Sequence, residues 1–151
     1  MDFKLSEYED TIRMVLDSEG EFRIYPKGTS MLPLLKEGRD SVVLVKTEKF
    51  IKPWNIVFYK RDNGDFVLHR IVKVYRDEGL YDLCGDNHLM IEHGIRRDQI
   101  IGVVKRIYIG DYCVDSGNLF YKAYVSCWKS FFVRRVFYKV RYIFGKLFKK
   151  G

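Results

Sequence analysis

One serine in the sequence has neighbours that suit nucleophilic chemistry. Ser30 lies in the segment YPKGTSMLP, residues 25–33, directly after an alternating, strand-like run. Because Gly28 precedes it by two positions, the backbone can place the Ser30 hydroxyl at an exposed edge, where nearby N–H groups, such as that of Thr29, can face a developing oxyanion. The same residues are also typical of an ordinary Pro/Gly turn, so the assignment depends on finding a base.

His69 is the candidate base. It lies in the alternating run FVLHRIV, residues 66–72, which predicts a strand. A serine hydroxyl is a poor nucleophile until a neighbouring base takes its proton. A neutral imidazole, with a reference pKa near about 6.5, can do this at neutral pH. A single histidine in a strand is more often structural, so the interpretation depends on its position in an ordered set of motifs.

The third motif is Gly85-Asp86-Asn87, which follows the next predicted strand and alone would indicate only a turn. An acid behind a histidine fixes the imidazole tautomer and stabilises the imidazolium, as in a catalytic triad. A serine, a strand histidine and Gly-Asp-Asn in this order are expected by chance far less often than any one of them. The set therefore predicts hydrolysis by a Ser/His pair.

The three motifs together resemble the serine, base and acidic boxes of type I signal peptidases and of the related LexA-like proteins. The matching residues are Ser30-Met31-x-Pro33, Leu68-His69-Arg70-Ile71 and Gly85-Asp86-Asn87, within about residues 25–104. Most bacterial members have lysine where His69 stands; the endoplasmic-reticulum, archaeal and sporulation-associated branch has histidine. The resemblance implies a serine endopeptidase that removes a leader or pro-segment from a polypeptide, without a cofactor.

The resemblance also implies two positions for the acid and a support for the oxyanion. Asp86 matches the acidic box directly and is the favoured catalytic acid, whereas the acid usually assigned in the histidine branch falls six residues later, at Glu92. Signal peptidases tend to have serine two residues before the nucleophile; here Gly28 occupies that position, so Gly28 and Thr29 are expected to support the turn and the oxyanion. The usual N-terminal transmembrane anchor is not seen in the sequence.

The pattern of elements predicts a mainly β fold of the signal-peptidase/LexA-like kind, with a short N-terminal helix. Residues 1–117 form the expected peptidase domain, and 118–151 a basic amphipathic helical tail. Short runs rich in β-branched and aromatic residues predict strands, at residues 22–25, 42–45, 56–59, 66–75, 80–84, 100–104 and 106–114.

The tail contains all of the excess positive charge. Residues 118–151 contain nine Lys/Arg and no Asp/Glu, whereas residues 1–117 contain 18 basic and 20 acidic side chains. Apolar residues recur at three- and four-residue spacing from Val133, and the cations fall mostly on the other face, which predicts a basic amphipathic helix. The apolar positions are Val133, Val136, Phe137, Val140, Ile143, Phe144, Leu147 and Phe148, and the cations Arg134, Arg135, Lys139, Arg141, Lys146, Lys149 and Lys150.

This composition favours an anionic membrane surface as the partner of residues 118–151. No apolar run reaches the roughly 18–20 residues that span a bilayer, so the expected attachment is peripheral, on the cytoplasmic face. A protein partner is the first alternative. Nucleic acid is not expected, because the aromatic residues share a face with Val, Ile and Leu instead of forming stacking platforms.

Three other interpretations of the same residues stay open or are set aside. A LexA-like regulator that cleaves only itself would need a scissile bond ahead of Ser30, where the single glycine, Gly20, forms an unsuitable Glu-Gly bond. A non-catalytic module could keep the fold and bind a peptide or lipid. A metal site is not expected from Cys84, His88 and His93, because structural zinc needs four ligands, normally paired from two segments.

Overall fold

The chain folds around one antiparallel sheet, as a computed structural model that describes residues 3–46 and 50–148 shows. Within those residues the fold is mainly β, with an eight-stranded sheet and three α-helices. The helices are α1 (Phe3–Ser18), α2 (Leu119–Trp128) and α3 (Phe131–Phe148). The strands are β1 (Glu21–Ile24), β2 (Ser41–Lys46), β3 (Ile56–Lys60), β4 (Phe66–Tyr75), β5 (Leu80–Cys84), β6 (Glu92–Arg96), β7 (Ile100–Ile109) and β8 (Tyr112–Asp115). The prediction of a mainly β chain with helices at both ends is confirmed.

The strands are ordered β1-β2-β7-β3-β4-β5-β6, and β8 pairs with β7. Consecutive strands β3, β4, β5 and β6 are antiparallel neighbours. His69 therefore lies on a central strand, between β3 and β5. This position fixes the imidazole relative to side chains from both neighbours.

Two strand predictions need correction. The sequence indicated no strand at residues 92–96, where EHGIR has little apolar periodicity and Gly94 adopts a positive φ of 70°; the pairing of β6 with β5 forms it. The runs 100–104 and 106–114 were predicted as two strands. Instead β7 continues through Lys105, the extra residue of a β-bulge opposite Val43 and Leu44, and ends at Ile109. A turn at Gly110 and Asp111 then separates it from β8, so the run 106–114 is not one strand.

Strand β3 is buried on both faces, because it separates two apolar clusters. Ile56 and Phe58 belong to the first cluster, and Val57 and Tyr59 to the second. The alternation follows from the two-residue period of a strand. A continuous apolar run without polar alternation is what such a strand requires.

Helix α1 covers part of the first cluster. Ile12 and Leu16 are buried there, one turn apart, and the helix contacts β1, β2 and β7. Glu9 accepts a hydrogen bond from Lys60 Nζ at 3.1 Å, which ties the helix to the end of β3. Tyr8 on the same helix meets the Phe66 ring edge-to-face, with ring centroids 5.5 Å apart. The helix thus borders the start of β4.

The basic tail forms two helices that contact each other, where the sequence predicted one amphipathic stretch from Val133. Asn118 caps α2 by accepting from the Tyr121 N–H at 3.1 Å. Tyr121 and Tyr124 pack against the first cluster, and Trp128 is buried. In the described part of the chain no helix is both long and apolar enough to span a bilayer.

Two of the predicted tail positions point into the protein. Arg134, expected among solvated cations, is 0% exposed; it donates to the Trp128 carbonyl at 2.8 Å and lies over the Phe131 ring. Phe137, expected on the membrane-facing side, meets the Trp128 ring at 5.3 Å between centroids. Both are drawn inward because α3 folds back beside the end of α2. The side chains of Lys146, Leu147 and Phe148, and residues 149–151, lie outside the described residues.

Candidate active site

Ser30 lies in a turn that follows β1. Gly28 has a positive φ of 81°, which favours glycine there. Residues 30–34 form successive turns, with the Leu32 N–H donating to the Thr29 carbonyl at 3.2 Å and the Leu35 N–H to the Met31 carbonyl at 2.9 Å. Ser30 is half-buried, whereas the neighbouring Met31 is anchored in the first apolar cluster. The turn thus holds the serine at the edge of the core.

The imidazole of His69 is buried, and its two nitrogens have different surroundings. It is 2% exposed. Nδ1 lies 3.0 Å from Glu92 Oε1 and 3.3 Å from the Tyr59 hydroxyl. Nε2 has no hydrogen-bond partner within the described residues. With Nδ1–H donating to the carboxylate, Nε2 carries the lone pair and is the atom that can accept a proton.

Gly85 separates the Ser30 turn from the imidazole. A Cβ at this position would lie 2.7 Å from the Ser30 carbonyl oxygen, 2.9 Å from His69 Nε2 and 3.0 Å from His88 Nδ1. Two residues later, the Asn87 N–H donates to the same Ser30 carbonyl at 2.7 Å. The Gly85-Asp86-Asn87 segment therefore holds the Ser30 turn beside His69. Residue 85 must be glycine, because a side chain there would collide with its neighbours.

Ser30 and His69 line one cavity but are not hydrogen-bonded to each other. The cavity has a volume of about 790 Å³, and Gly28, Thr29 and His88 also line it. The unpartnered Nε2 shows that the Ser30 hydroxyl does not donate to it in this structure. Catalytic contacts of this kind are often loose without substrate and tighten when it binds. Ser30 and His69 therefore border the same space, and Nε2 of the imidazole is buried without a hydrogen-bond partner in the described structure.

The carboxylate at His69 belongs to Glu92. Its strand β6 pairs with β5, which places Glu92 opposite Leu83. Arg61, at the end of β3, donates to both carboxylate oxygens, with Nε–Oε2 at 2.8 Å and Nη2–Oε1 at 2.5 Å. A bidentate guanidinium fixes the plane of a carboxylate. Arg61 therefore positions Glu92, and Glu92 positions the His69 ring.

Burial keeps His69 neutral at physiological pH. Desolvation is the largest influence and lowers the His69 pKa to about 4, with the charges of His88 and Arg61 acting in the same direction. The negative charge and hydrogen bond of Glu92 oppose this and raise the pKa. For Glu92, burial favours the neutral acid, but hydrogen bonds from Arg61 and Tyr59 outweigh it and lower the pKa. At neutral pH the site thus holds a neutral imidazole beside a carboxylate.

The contact expected between Asp86 and His69 does not occur. Asp86 is 0% exposed and forms a two-pronged ion pair with Arg70, at 2.8 Å and 2.7 Å. The reason is strand parity: Arg70 follows His69 in β4 and points to the opposite face of the sheet. Asp86 is turned toward that face, so the residue favoured as the catalytic acid is a structural partner of Arg70. The alternative, Glu92, occupies the position at His69.

The C-terminal helices bind Asp86 from the other side. The Tyr124 hydroxyl donates to Asp86 Oδ2 at 2.9 Å. Trp128 Nε1 and the Tyr138 hydroxyl both donate to the Asp86 main-chain carbonyl, at 3.0 Å and 2.9 Å. Arg70 completes the cluster by donating to the Tyr121 hydroxyl at 3.2 Å. Residues 118–138 therefore help to hold the Gly85-Asp86-Asn87 segment in place.

The sequence predicts that Gly28 supports the oxyanion, but the Gly28 N–H group already forms another hydrogen bond. The Gly28 N–H donates to Glu37 Oε2 at 2.9 Å, so this donor is already used. No acceptor within the described residues receives the N–H groups of Thr29 and Ser30. These two N–H groups are the candidates for the oxyanion site, and Gly28 shapes the turn that presents them.

A second cavity extends the site past His88. It measures about 710 Å³, and Asn87, Leu89, Glu92 and Tyr138 contribute to its lining. Arg61 and His88 line both cavities. The His88 ring stands edge-on to the His69 ring, with centroids 5.6 Å apart. The two cavities therefore share Arg61 and His88 as a common wall, beside the His69 ring.

Sequence reasoning missed several residues of the site. Tyr59, Arg61 and Gly85 were not assigned roles, and His88 was weighed only as a metal ligand. The signal for Arg61 would have been a basic residue that lies opposite an acid, Glu92. Because Glu92 is on strand β6, which the sequence did not indicate, this pairing could not be predicted. Among the described residues, no group of three or more His, Cys, Asp or Glu side chains is arranged to hold a metal ion.

Comparison with known proteins does not assign the chain to a family. No protein-family model matches the sequence, and no curated protein is significantly similar to it. The functional interpretation depends on the geometry of the site and on the resemblance of its three motifs.

Proposed function

We propose that the protein is a serine endopeptidase in which Ser30 is the nucleophile, His69 the general base and Glu92 the acid that orients it. The supporting observation is the two-sided environment of His69: Nδ1 is 3.0 Å from Glu92, while Nε2 is buried without a hydrogen-bond partner in the described structure, and His69 and Ser30 line the same cavity. A structural histidine buried in a core would have both nitrogens satisfied. The ordered motifs that resemble signal peptidases support the same assignment.

In the proposed reaction, Ser30 Oγ attacks the carbonyl carbon of a peptide bond as its proton passes to His69 Nε2. The carbonyl oxygen becomes an oxyanion that the N–H groups of Thr29 and Ser30 stabilise, and Glu92 stabilises the imidazolium. Collapse of the tetrahedral intermediate breaks the C–N bond, and the leaving amine takes the proton from Nε2. Water, deprotonated by His69, then hydrolyses the acyl-enzyme and regenerates the Ser30 hydroxyl.

The cavity beside Ser30 favours a polypeptide substrate with apolar side chains near the cleaved bond. Its walls include Ile24, Met31, Leu35, Phe58 and Leu68, all of which are buried. A pocket with mostly apolar walls and a few polar groups binds an apolar side chain and leaves the polar groups to orient the backbone. A leader or pro-segment with such a side chain beside its cleavage site fits this description.

The test is cleavage of a library of short soluble peptides, with products identified by mass spectrometry. The native chain should cleave a subset, and Ser30→Ala and His69→Ala should each abolish cleavage, whereas Ser126→Ala, an exposed serine on α2, should not. Cleavage by Ser30→Ala at the native rate would contradict the proposal. If the native chain cuts only itself, the self-cleaving alternative replaces it; if it binds but never cuts, the non-catalytic alternative does.

A further inference from the structure

Helix α3 presents three different faces. The first contacts the rest of the protein: Arg134 is buried, Phe137 meets Trp128, and the Tyr138 hydroxyl binds the Asp86 carbonyl. The second, called here the apolar stripe, is solvent-exposed. It consists of Phe132, Val133, Val136, Val140, Ile143 and Phe144. The third face contains the exposed cations Arg135 and Lys139.

The apolar stripe is continuous along the helix. Its members recur at spacings of one, three and four residues, which places them within about a third of the circumference of an α-helix. The exposed fraction of their side chains is 74% at Phe132 and 56% at Phe144, so neither end of the stripe is covered by the described part of the protein. Exposed apolar surface of this extent with a polar rim marks an interaction site.

We propose that α3 binds the surface of an anionic phospholipid membrane, with the apolar stripe inserted at the level of the headgroups and upper acyl chains. Charge selects this occupant. Residues 118–151 contain nine Lys/Arg and no Asp/Glu, so every charged side chain of this segment is positive. An interfacial helix needs both features, an apolar face and flanking cations. The inference holds whether or not the peptidase proposal is correct.

The attachment also fixes where the candidate site stands relative to the lipid. Tyr138 lines the second cavity and binds the Asp86 carbonyl, and Arg141 Nη1 donates to Asn87 at 3.2 Å. The inward face of α3 therefore touches the segment that positions Ser30, while the apolar stripe faces away from it. A docked α3 would hold the cleft beside the membrane surface instead of leaving it on a flexible tether.

The experiment is co-sedimentation of the full chain with two kinds of vesicle: phosphatidylcholine alone, and phosphatidylcholine mixed with phosphatidylserine in equal amounts. Three double variants separate the contributions. Val136→Asn/Val140→Asn removes apolar area at unchanged charge, with residues of similar helix propensity. Arg135→Gln/Lys139→Gln removes charge beside an intact stripe. Lys73→Gln/Arg76→Gln is the matched control, since these exposed residues lie at the end of β4 away from Arg70 and the C-terminal helices.

The native chain and the control should bind the anionic vesicles equally, and much more strongly than phosphatidylcholine alone. The stripe variant should lose binding to both kinds of vesicle. Each cation removed should weaken binding to the anionic vesicles about fivefold, and added salt should weaken it further by screening. Circular dichroism of each variant checks that it is folded. Equal binding to both kinds of vesicle, or native-like binding by the folded stripe variant, would overturn the proposal, as would a native chain that sediments with neither.

Discussion

Nδ1 of His69 lies 3.0 Å from Oε1 of Glu92, across the two strand pairings that join β4 to β5 and β5 to β6. The distance identifies the acid that orients the imidazole, because Asp86, the closer match to the acidic motif, is engaged by Arg70 on the opposite face of the sheet. Two carboxylates close together in sequence thus have different partners, and each can be tested by its own substitution.

Replacing Glu92 by Gln should lower kcat by about 10²–10⁴-fold, since an orienting carboxylate in a triad is worth up to about 10⁴. The change keeps the size of the side chain but removes the charge that stabilises the imidazolium. KM for a short peptide should change little, because the effect falls on the transition state. Steady-state kinetics measure both constants. Glu78→Gln, in the exposed turn between β4 and β5, is the control. An unchanged kcat in Glu92→Gln would show that Ser30 and His69 act without an acid.

Replacing Asp86 by Asn should destabilise the fold more than it affects the chemistry. It leaves the fully buried Arg70 without its ion-pair partner, at a cost of about 3–5 kcal/mol, which corresponds to a fall of about 10 °C in the thermal midpoint. Removing both charges, as in Arg70→Met/Asp86→Leu, should restore much of the stability. Thermal unfolding followed by circular dichroism measures this.

The same variants distinguish a structural Asp86 from a catalytic one. The double variant should retain peptide cleavage, because the side chains of Arg70 and Asp86 form their hydrogen bonds with each other, Trp54, Tyr121 and Tyr124, and none with the His69 ring in the described structure. A stable double variant without activity, beside an active Glu92→Gln variant, would reverse the assignment of the two acids.

The acid limb of the pH–rate profile should lie well below the ordinary histidine range. Cleavage needs neutral His69, and kcat/KM reports the ionisation of the free enzyme. Because burial lowers the His69 pKa to about 4, the active form should persist as the pH falls from neutrality to that value. Glu92→Gln should move the limb to still lower pH, since the Glu92 charge raises the His69 pKa while His88 and Arg61 lower it. A limb near pH 6.5, the ordinary pKa of histidine, would contradict a desolvated base.

Replacing Gly85 by Ala should disturb the site directly. The added methyl group would lie 2.7 Å from the Ser30 carbonyl oxygen and 2.9 Å from His69 Nε2, so the turn and the strand must move apart. We expect a stability loss of about 1–3 kcal/mol and a larger fractional loss of kcat/KM, because the distance between nucleophile and base changes. Gly145→Ala, where a Cβ meets nothing within 4 Å, is the matched control. Native activity in Gly85→Ala would show that the close approach does not matter.

The sequence predicted the strands that have strong apolar patterns and missed the one that does not. Runs such as 56–59 and 66–75 are apolar enough to define a strand alone, and they placed His69 correctly on a strand. Strand β6 exists because β5 offers it a pairing edge, and its own residues, EHGIR, give no periodic signal. Without β6, the position of Glu92 beside His69 could not be derived from the order of residues.

Asp86 and Arg134 are both buried, and for the same physical reason. Both are charged residues that tertiary contacts bury, Asp86 against Arg70 and Arg134 against the Trp128 carbonyl. Charge and periodicity favour solvent for such residues, since burying an unpaired charge is costly. Which partners meet them depends on how α2 and α3 fold back over the Gly85-Asp86-Asn87 segment, and this is a long-range contact that local patterns do not encode.

The most direct test of the central claim is reaction with a fluorophosphonate probe, followed by mass spectrometry of the labelled peptides. A fluorophosphonate bonds covalently to a serine only where a base activates the hydroxyl. The native chain should carry one adduct, on Ser30, with labelling abolished in His69→Ala and slowed in Glu92→Gln. Labelling of Ser30 that is as fast in His69→Ala as in the native chain, or no adduct on Ser30 in the folded native chain, would contradict the account.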